Sequence, residues 1–463
     1  MSQSVLVSIQ ELDSSAIFLL FVTICAFIIP VAVVLPPVSV RKSDALLQTH
    51  TKAGIRKSKS NLNDQYLTLD HTPQDGAATV KSLVVYPVKS CRGIEMTHSR
   101  VLPQGLEYDR LFMFAQLKSP FPVSLDMTDE AKSEHRWRFA TQREFPLLAT
   151  VKIDLWLPDE MKLRKQSMKP TKEAFLILRF PWREEGWRGL LSVIMAKLGR
   201  GFAAVPEKEI LLPVDFPSET EIKEKGYTFE DVKIWNEVVT ALNMSTELPR
   251  ELMFYLGASN KLGLFRVNPS NLREVYRCAP RKDDAGYQPV TGFQDAYPLH
   301  LITLDSVQQF SKDVPKDDQM KQLDVARFRA NIILSGVPAY DEETWKQARF
   351  RPGKSSLHND AVFHVSCRTA RCKMPNVDPD TGDRHPREPD RSLRSLRIVD
   401  RGAPKWGCLG MQLTPLFEAD NNPSTVNNNV GSTFPADHRP SVWIAVGMTI
   451  DVEQTGEHVY IAQ

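Results

Sequence analysis

The stretch at residues 366–382 reads Ser-Cys-Arg-Thr-Ala-Arg-Cys-Lys-Met-Pro-Asn-Val-Asp-Pro-Asp-Thr-Gly, and it is the part of the chain from which fold and chemistry are best predicted. Cys372 directly follows Arg371, and the next residues are rich in Pro, Asp and Gly, which favour a tight turn. Two arginines, Arg368 and Arg371, precede the cysteine, and neighbouring cations favour a thiolate over a thiol. A thiolate attacks electrophiles and binds soft metals, so Cys372 is a candidate catalytic or metal-ligating residue.

A cysteine is more often a small buried hydrophobic residue than a reactive one, and the local sequence leaves that alternative open for Cys372. Cys367 and Cys372 also form a C-x4-C pair, a spacing found in plant-type iron–sulfur sites. Such a cluster needs two further cysteines downstream, and only Cys408 follows. The spacing therefore excludes a cluster of this type.

The composition is that of an ordinary globular protein with room for more than one domain. The 463 residues are 25% charged and 42% apolar, and the formal net charge is +2. A charge so close to balance argues against a nucleic-acid-binding protein. Six cysteines are too few for a secreted disulfide framework, which predicts a reducing compartment.

An apolar run at residues 16–35 stands apart from this composition. Only Thr23 and Pro30 fall outside the apolar set, and about 20 such residues are enough to cross a bilayer as a helix. Acidic residues precede the run and basic residues from Arg41 follow it. This pattern predicts an uncleaved single-pass anchor over residues 1–40, with the rest of the chain on the cytosolic side. A buried core helix is the alternative.

Residues 41–80 are polar and nearly free of aromatic side chains, and they are predicted to be a flexible tether. The folded part is predicted to begin near residue 81, with a strand over residues 82–88. Apolar residues at helical spacing predict an amphipathic helix over Phe229–Leu242, in which Trp235 is interpreted as a core residue. A second helix is predicted to begin at Pro249.

A charged run at residues 383–401 alternates arginines with acidic residues. Mixed charge of this kind is typical of a solvated face. A basic docking patch for an acidic electron donor is the alternative.

Four short motifs add candidate ligand-binding residues. Lys89 and Ser90 follow Tyr-Pro-Val, where two cations, a hydroxyl and a glycine suit an anion-binding turn, with a solvated turn as the alternative. Arg110 ends the segment Gly-Leu-Glu-Tyr-Asp-Arg, and Asp-Ala-Tyr-Pro occupies residues 295–298. Arg329 and Asn331 belong to Phe-Arg-Ala-Asn, and on a strand their side chains would share one face. These four motifs are at residues 86–91, 105–110, 295–298 and 328–331.

Together with Arg371-Cys372 and Val-Asp-Pro-Asp-Thr-Gly at residues 377–382, these motifs resemble the MOSC-domain family, and within it the amidoxime-reducing proteins. The resemblance implies that Cys372 is the protein ligand to molybdenum. It also implies that the molybdenum cofactor is bound by Lys89, Ser90, Arg110, Arg329, Asn331 and Arg371. Residues 140–146 resemble a family segment near the cofactor. Two departures are Ala296-Tyr297, where the animal proteins carry Thr-Ser, and Leu409, where related enzymes have a tyrosine.

The fold that the resemblance implies is α+β. A β-rich MOSC N-terminal domain is expected at residues 81–215, a helical insertion at residues 216–290 and a MOSC β-barrel at residues 291–463. The cofactor is expected between the two β-rich parts.

The function that the resemblance implies is the reduction of small N-hydroxylated substrates such as amidoximes and hydroxylamines. No dinucleotide-binding, haem or ferredoxin motif is found, so a separate chain is expected to supply electrons, which in the family is cytochrome b5 with its NADH-dependent reductase. The family's usual location is the mitochondrial outer membrane. Two other classes stay open: a carrier of sulfur or molybdenum cofactor that lacks the pyridoxal phosphate-binding half of full sulfurases, and a metal-free membrane-tethered binding protein.

Overall fold

The computed structural model describes residues 13–34, 41–67, 78–119, 127–128, 134–167, 169, 171–353, 359–417 and 440–461, with backbone alone for residues 28–34. The helices are α1 Ser14–Val34, α2 Lys42–Leu46, α3 Glu160–Lys165, α4 Gly186–Arg200, α5 Glu219–Glu224, α6 Arg250–Leu256, α7 Lys282–Ala285, α8 Leu304–Asp313 and α9 Asp390–Leu396. The strands are β1 His50–Lys52, β2 Thr79–Val85, β3 Ile94–Met96, β4 His98–Leu102, β5 Gly105–Leu106, β6 Phe112–Lys118, β7 Arg136–Phe139, β8 Lys152–Pro158, β9 Phe175–Pro181, β10 Glu207–Pro213, β11 Thr228–Ile234, β12 Glu237–Asn243, β13 Leu262–Arg266, β14 Arg273–Glu274, β15 Val290–Thr291, β16 Leu299–Thr303, β17 Ile332–Ser335, β18 Trp345–Arg351, β19 Ala361–Ala370, β20 Cys408–Leu416, β21 Val442–Ala445 and β22 Thr449–Thr455.

The chain forms two compact units, one of Met1–Gln48 with Pro181–Glu209 and one of Thr49–Phe180 with Ile210–Gln463. The smaller unit contains α1, α2 and α4. Within it, the backbone N–H and the hydroxyl of Ser43 both donate to the Glu209 carboxylate, at 3.0 and 2.7 Å. The larger unit contains all the residues that the sequence motifs single out.

Helix α1 covers most of the apolar run for which a membrane anchor is expected. Its side chains are described as far as residue 27, and Leu35 lies outside the described residues. No helix in the described part of the chain is long and apolar enough to span a bilayer. The anchor expected at residues 16–35 is therefore not supported.

The first barrel is closed by the strand order β11-β12-β13-β6-β7. Its interior is a cluster of buried apolar side chains that includes Met113, Trp137, Val232, Phe265 and Phe293. Strands from the expected N-terminal domain and from the expected helical insertion thus form one barrel. Residues 228–243 and 262–266 are part of the β-rich body.

The helix predicted over Phe229–Leu242 is wrong, because these residues form the antiparallel hairpin β11–β12. Ile234 pairs with Glu237, which leaves Trp235 and Asn236 as the two-residue turn. The buried side chains alternate at Val232 and Ile234 on one strand and at Val239 and Ala241 on the other, and Leu242 is buried as well at the end of the hairpin. Burial of every second side chain is the period of a β-strand. Across the two-residue turn, the apolar residues of the two strands fall at sequence spacings close to those of a helix, which explains the wrong prediction. The helix predicted at Pro249 is confirmed as α6, for which Pro249 is the N-cap.

The second barrel has the strand order β17-β16-β20-β19-β18-β22-β2, and pairing of β17 with β2 closes it. The expected α+β fold is confirmed, and the structure shows that its β-rich parts form two barrels. Strand β2 comes from the N-terminal part of the chain, whereas the other strands lie beyond residue 298. The two barrels are thus linked through β2, which ends next to the Lys89-Ser90 turn.

Part of the expected tether is folded. Strand β1 pairs with β8, with His50 opposite Pro158. The Gln65 side chain accepts from the Val325 backbone N–H at 2.9 Å, and Asp64 forms an ion pair with Lys81 at 2.6 Å. Backbone pairing and a few polar contacts hold these residues in place. The tether was predicted from their lack of aromatic side chains, and that composition does not reveal contacts of this kind. Residues 68–77 lie outside the described residues.

The solvated face predicted at residues 383–401 is also wrong in part, because several of its charged side chains are buried. Asp390 and Asp400 are buried, and so is Arg397, which donates to Glu343. Asp390 accepts from Arg394 at 3.0 Å. The buried charges of the run form ion pairs, two of them with residues outside the run, and the composition of the run does not distinguish this arrangement from solvation.

Candidate functional site

A cavity of about 400 Å³ in the larger unit brings all seven predicted site residues together. Among the described residues, its lining carries six cationic side chains and the carboxylate of Asp295. The first barrel contributes Trp235 from the β11–β12 turn, and the second contributes Thr369 and Gln412 from β19 and β20. The cations are Lys89, Arg110, Arg143, Arg329, Arg368 and Arg371. The site is thus strongly electropositive, which suits an anionic ligand.

Lys89 and Ser90 lie in the turn that follows β2. Lys89 is 5% exposed, and its Nζ donates to the Phe293 carbonyl at 2.7 Å and to Asp295 Oδ1 at 2.6 Å. Burial lowers the pKa of Lys89 to about 8, against the opposing effect of Asp295. Ser90 is 2% exposed, and its Oγ has no hydrogen-bond partner among the described residues. A buried hydroxyl without a partner is costly, so Ser90 is available to a ligand.

Arg110 and Arg329 both lie against the ring of Tyr86, with their guanidinium carbons 4.6 and 4.3 Å from its centroid. Arg110 forms an ion pair with Asp109 at 2.5 Å, and Arg329 donates to the Cys91 carbonyl at 2.8 Å. Burial lowers the pKa of Arg329, and the neighbouring Arg110 lowers it further. Arg110 and Arg329 carry two positive charges, and the Asp109 carboxylate offsets one of them. The remaining positive charge is available for an anionic ligand to neutralise.

Arg371 and His300 form a second buried pair. Arg371 donates to the Phe328 carbonyl at 2.8 Å and to Nε2 of His300 at 3.3 Å. Burial, followed by the charges of Arg371 and Arg110, holds the pKa of His300 well below its usual value, so the ring is neutral and accepts. Arg371 is thereby fixed directly before Cys372.

Asn331 lines the cavity, but its amide also joins two strands. The side-chain N–H₂ donates to the Val84 carbonyl at 3.1 Å, and the oxygen accepts from the His300 backbone at 3.2 Å. Asn331 and Arg329 do not lie on a strand as expected. Arg329 follows a 3₁₀ turn with a φ of 54°, and β17 begins after both residues, at Ile332. The two side chains reach the cavity through this left-handed turn.

Cys372 is partly exposed and lines the cavity just beyond the end of β19. The two arginines that precede it differ in their surroundings. Arg371 is fixed beside it, whereas Arg368 donates to Glu343 at 3.1 Å and to Asp400 at 3.3 Å. The positive potential expected at Cys372 therefore comes chiefly from Arg371.

Backbone strain is concentrated at this cavity. Ser90, Arg110, Trp235 and Arg329 line it, and each has a positive φ, from 49° to 68°. Non-glycine residues adopt this conformation rarely, and such outliers cluster at binding and catalytic sites. The strain is independent support for the cavity as the functional site.

Comparison with known proteins agrees with this geometry. A model of the MOSC N-terminal beta barrel domain matches residues 77–180, and one of the MOSC domain matches residues 288–413. The mitochondrial amidoxime reducing component 2 of Homo sapiens is 30% identical over 340 residues, which cover 73% of this chain and 77% of that protein. The chain belongs to the MOSC-domain family.

Other members are more distant. The mitochondrial amidoxime reducing component 2 of Rattus norvegicus is 23% identical over 344 residues, or 73% of this chain and 77% of that protein. The molybdenum cofactor sulfurase of Oryza sativa subsp. japonica is 23% identical over 348 residues, which cover 73% of this chain and 33% of that protein. The family is thus one of molybdenum-cofactor-related proteins.

The two departures from the MOSC pattern have visible consequences. The hydroxyl of Tyr297 donates to the Arg277 carbonyl at 2.6 Å, so that donor is already in use although the residue lines the cavity. Leu409 is fully buried and packs in the core beside Tyr86 and Phe328. Neither position provides a free hydroxyl donor to the cavity.

Several cavity residues were not predicted from the motifs. Trp235 was interpreted as a core residue, yet it is exposed at the cavity. His300, Trp406 and Tyr460 also line the cavity and belong to none of the motifs. Residues 140–146 do reach it, since Arg143 lines it and Gln142 donates to the Ser90 carbonyl at 2.7 Å.

Proposed function

We propose that the chain is a molybdenum-cofactor-dependent reductase of N-hydroxylated compounds such as amidoximes and hydroxylamines. The observation that carries the proposal is the buried cationic cavity, in which Ser90 Oγ lacks a partner among the described residues and Cys372 is a free cysteine. Two relatives that are matched over 77% of their own length are named as amidoxime reducing components, and this supports the same activity.

The residues fit the cofactor. Lys89, Arg110 and Arg329 provide cations for a phosphate, and Ser90 provides a donor whose hydroxyl is otherwise unpaired. In the described residues, no group of three or more His, Cys, Asp or Glu side chains is placed to hold a metal ion. The fit is therefore to a cofactor that brings most of its own metal ligands, with Cys372 as the protein thiolate.

When bound, the molybdenum cofactor supplies two-electron chemistry that accepts the oxygen of the substrate. In the net reaction, the N–O bond breaks, two electrons and two protons are consumed, and an N–H bond and water form. The chain itself would bind the cofactor phosphate through Lys89, Arg110 and Arg329. The hydrogen bonds of Arg371 to His300 and to the Phe328 carbonyl hold Arg371 in place directly before Cys372. The electrons come from a separate donor, for which we propose cytochrome b5 and its NADH-dependent reductase, and we propose the mitochondrial location of the relatives.

Benzamidoxime reduction tests this function. Protein purified with its cofactor should convert benzamidoxime to benzamidine when NADH, cytochrome b5 and the reductase are supplied. Omission of cytochrome b5 should abolish the conversion. Protein that contains molybdenum and pterin but reduces neither benzamidoxime nor a hydroxylamine, even with a chemical reductant, would instead indicate a cofactor carrier.

The lowered pKa of Lys89 predicts pH-dependent cofactor uptake. Because burial lowers this pKa to about 8, the ammonium charge is present below pH 8 and is lost as the pH rises through that value. Cofactor uptake by cofactor-free protein should therefore weaken between pH 7 and pH 9. Titrations of pterin uptake at each pH measure this. In Lys89→Arg, the loss of cofactor uptake should move to higher pH, because a guanidinium stays charged. If the pH profile of uptake is unchanged in that variant, another group is responsible for the titration.

A further inference from the structure

The exposed part of the cavity differs from its cationic part. Lys89, Ser90 and Asn331 are at most 5% exposed, which suits a cofactor that stays bound. Trp235 and Trp406, by contrast, are 37% and 43% exposed, and both line the same cavity. These two indoles, here termed the aromatic rim, lie where a ligand that exchanges with solvent would meet the protein.

An arginine holds each indole of the aromatic rim. The guanidinium carbon of Arg143 lies 4.4 Å from the ring centroid of Trp235, and that of Arg394 lies 5.0 Å from Trp406. Arg394 is fixed in turn by Asp390, at 3.0 Å. Cation–π contacts of this kind keep a partly exposed ring in one orientation. The rim is thus preorganised, which lowers the entropy lost when a flat ligand stacks on it.

Trp235 is also held in a disfavoured backbone conformation. It occupies the first position of the two-residue β11–β12 turn with a φ of 54°, where Asn, Asp or Gly is normally preferred. Its Nε1 donates to Asp295 at 3.3 Å, and its ring lies 5.2 Å from that of Phe139. A bulky residue in such a position is a reason to look for function, because a smaller polar residue would make the same turn with less strain.

We propose that the aromatic rim selects the substrate by stacking on planar aromatic N-hydroxylated amidines and hydroxylamines, in preference to small aliphatic ones. This inference rests on the proposed function and adds a substrate class to it. Indole rings provide rigid, flat contact area to an aromatic substrate, whereas a methyl-sized substrate touches little of it. The reacting N–OH group would then extend from the rim toward Cys372, inside the cavity.

The test compares benzamidoxime with acetamidoxime, which carries the same reacting group on a methyl. Trp235→Ala and Trp406→Ala should each raise the KM for benzamidoxime roughly tenfold, with kcat and the KM for acetamidoxime changed less than about twofold. Trp235→Phe should restore most of the benzamidoxime affinity, because a flat ring remains. Molybdenum and pterin content should stay at the wild-type level in all three variants.

Trp443→Ala is the matched control. Trp443 is also 37% exposed, but it lies on β21 and does not line the cavity. It should leave both KM values unchanged. Equal losses for the two substrates, lost cofactor in Trp235→Ala, or no rescue by Trp235→Phe would overturn the proposal.

A binding measurement distinguishes failure of the proposal about the aromatic rim from failure of the proposed reductase function. If wild-type protein reduces neither compound, the reductase function fails, and calorimetric titration with benzamidoxime and acetamidoxime as unreacted neutral ligands still tests the rim. The inference predicts that wild-type protein binds benzamidoxime more tightly and that Trp235→Ala removes most of this preference. Equal binding of the two amidoximes by wild-type protein would refute it.

Discussion

Cys372→Ser is expected to abolish benzamidoxime reduction while the chain stays folded. A serine hydroxyl is not a soft ligand, so the metal would lose the sulfur ligand of Cys372, the one cysteine among the described residues that line the cavity. The activity should fall by at least about 100-fold, the size of effect known when a single group essential to the chemical step is removed. The melting temperature should change by no more than about 5 °C, because the residue is partly exposed and the substitution is nearly isosteric.

Cys278→Ser is the matched control for this experiment. Cys278 is also partly exposed, and it packs beside Tyr297 and Tyr460, which line the cavity. It should keep activity within about twofold of wild type, as expected for a substitution away from the reacting atoms. Full activity of Cys372→Ser with molybdenum still bound would contradict the role of Cys372. A loss as large in Cys278→Ser would show that the effect is not specific to the ligand position.

Removal of Lys89, Arg110 or Arg329, here termed the cofactor cradle, should lower cofactor occupancy. Lys89→Ala, Arg110→Ala and Arg329→Ala should each cost about 1.5–3 kcal/mol of cofactor binding, or roughly tenfold to hundredfold in affinity. Arg329→Lys should rescue Arg329→Ala only in part, because lysine lacks the forked guanidinium. Pterin and molybdenum per folded chain measure the occupancy.

Stability of the cofactor-free protein distinguishes a cradle from a structural ion pair. Arg110 and Arg329 both lie against the ring of Tyr86. Burial, together with repulsion from Arg110, lowers the pKa of Arg329 and so disfavours its charged form. Arg329→Ala should therefore change the melting temperature of cofactor-free protein little. Arg401→Ala is the control, since its ion pair with Glu457 at 2.7 Å is exposed. A wild-type occupancy in all three cradle variants, or an equal loss in Arg401→Ala, would contradict the cradle.

Several motif residues could be placed from sequence because they are tied to a short local structure. Lys89 and Ser90 follow β2 in a turn, and Cys372 follows β19, so a few contiguous residues determine where these side chains lie. The resemblance to the MOSC family implied that they meet, and one cavity does bring them together. Their roles toward a cofactor remain predictions.

Trp235 could not be placed in this way, since its position depends on tertiary pairing. The hairpin β11–β12 becomes visible only when Val232 is found opposite Val239 and Ile234 opposite Glu237. The same apolar spacing supported a helix, because helix and hairpin patterns coincide over so short a segment. The buried ion pairs of Asp390 and Arg397 were missed for a related reason, as a charged run does not reveal its partners.

Molybdenum and pterin content of the purified wild-type chain tests the central claim most directly. The cationic cavity with its unpaired Ser90 hydroxyl and with Cys372 predicts about one molybdenum and one pterin per folded chain, and Arg329→Ala should lower both together. Protein that is folded, made in cells that produce the cofactor, and yet contains neither molybdenum nor pterin would contradict the claim.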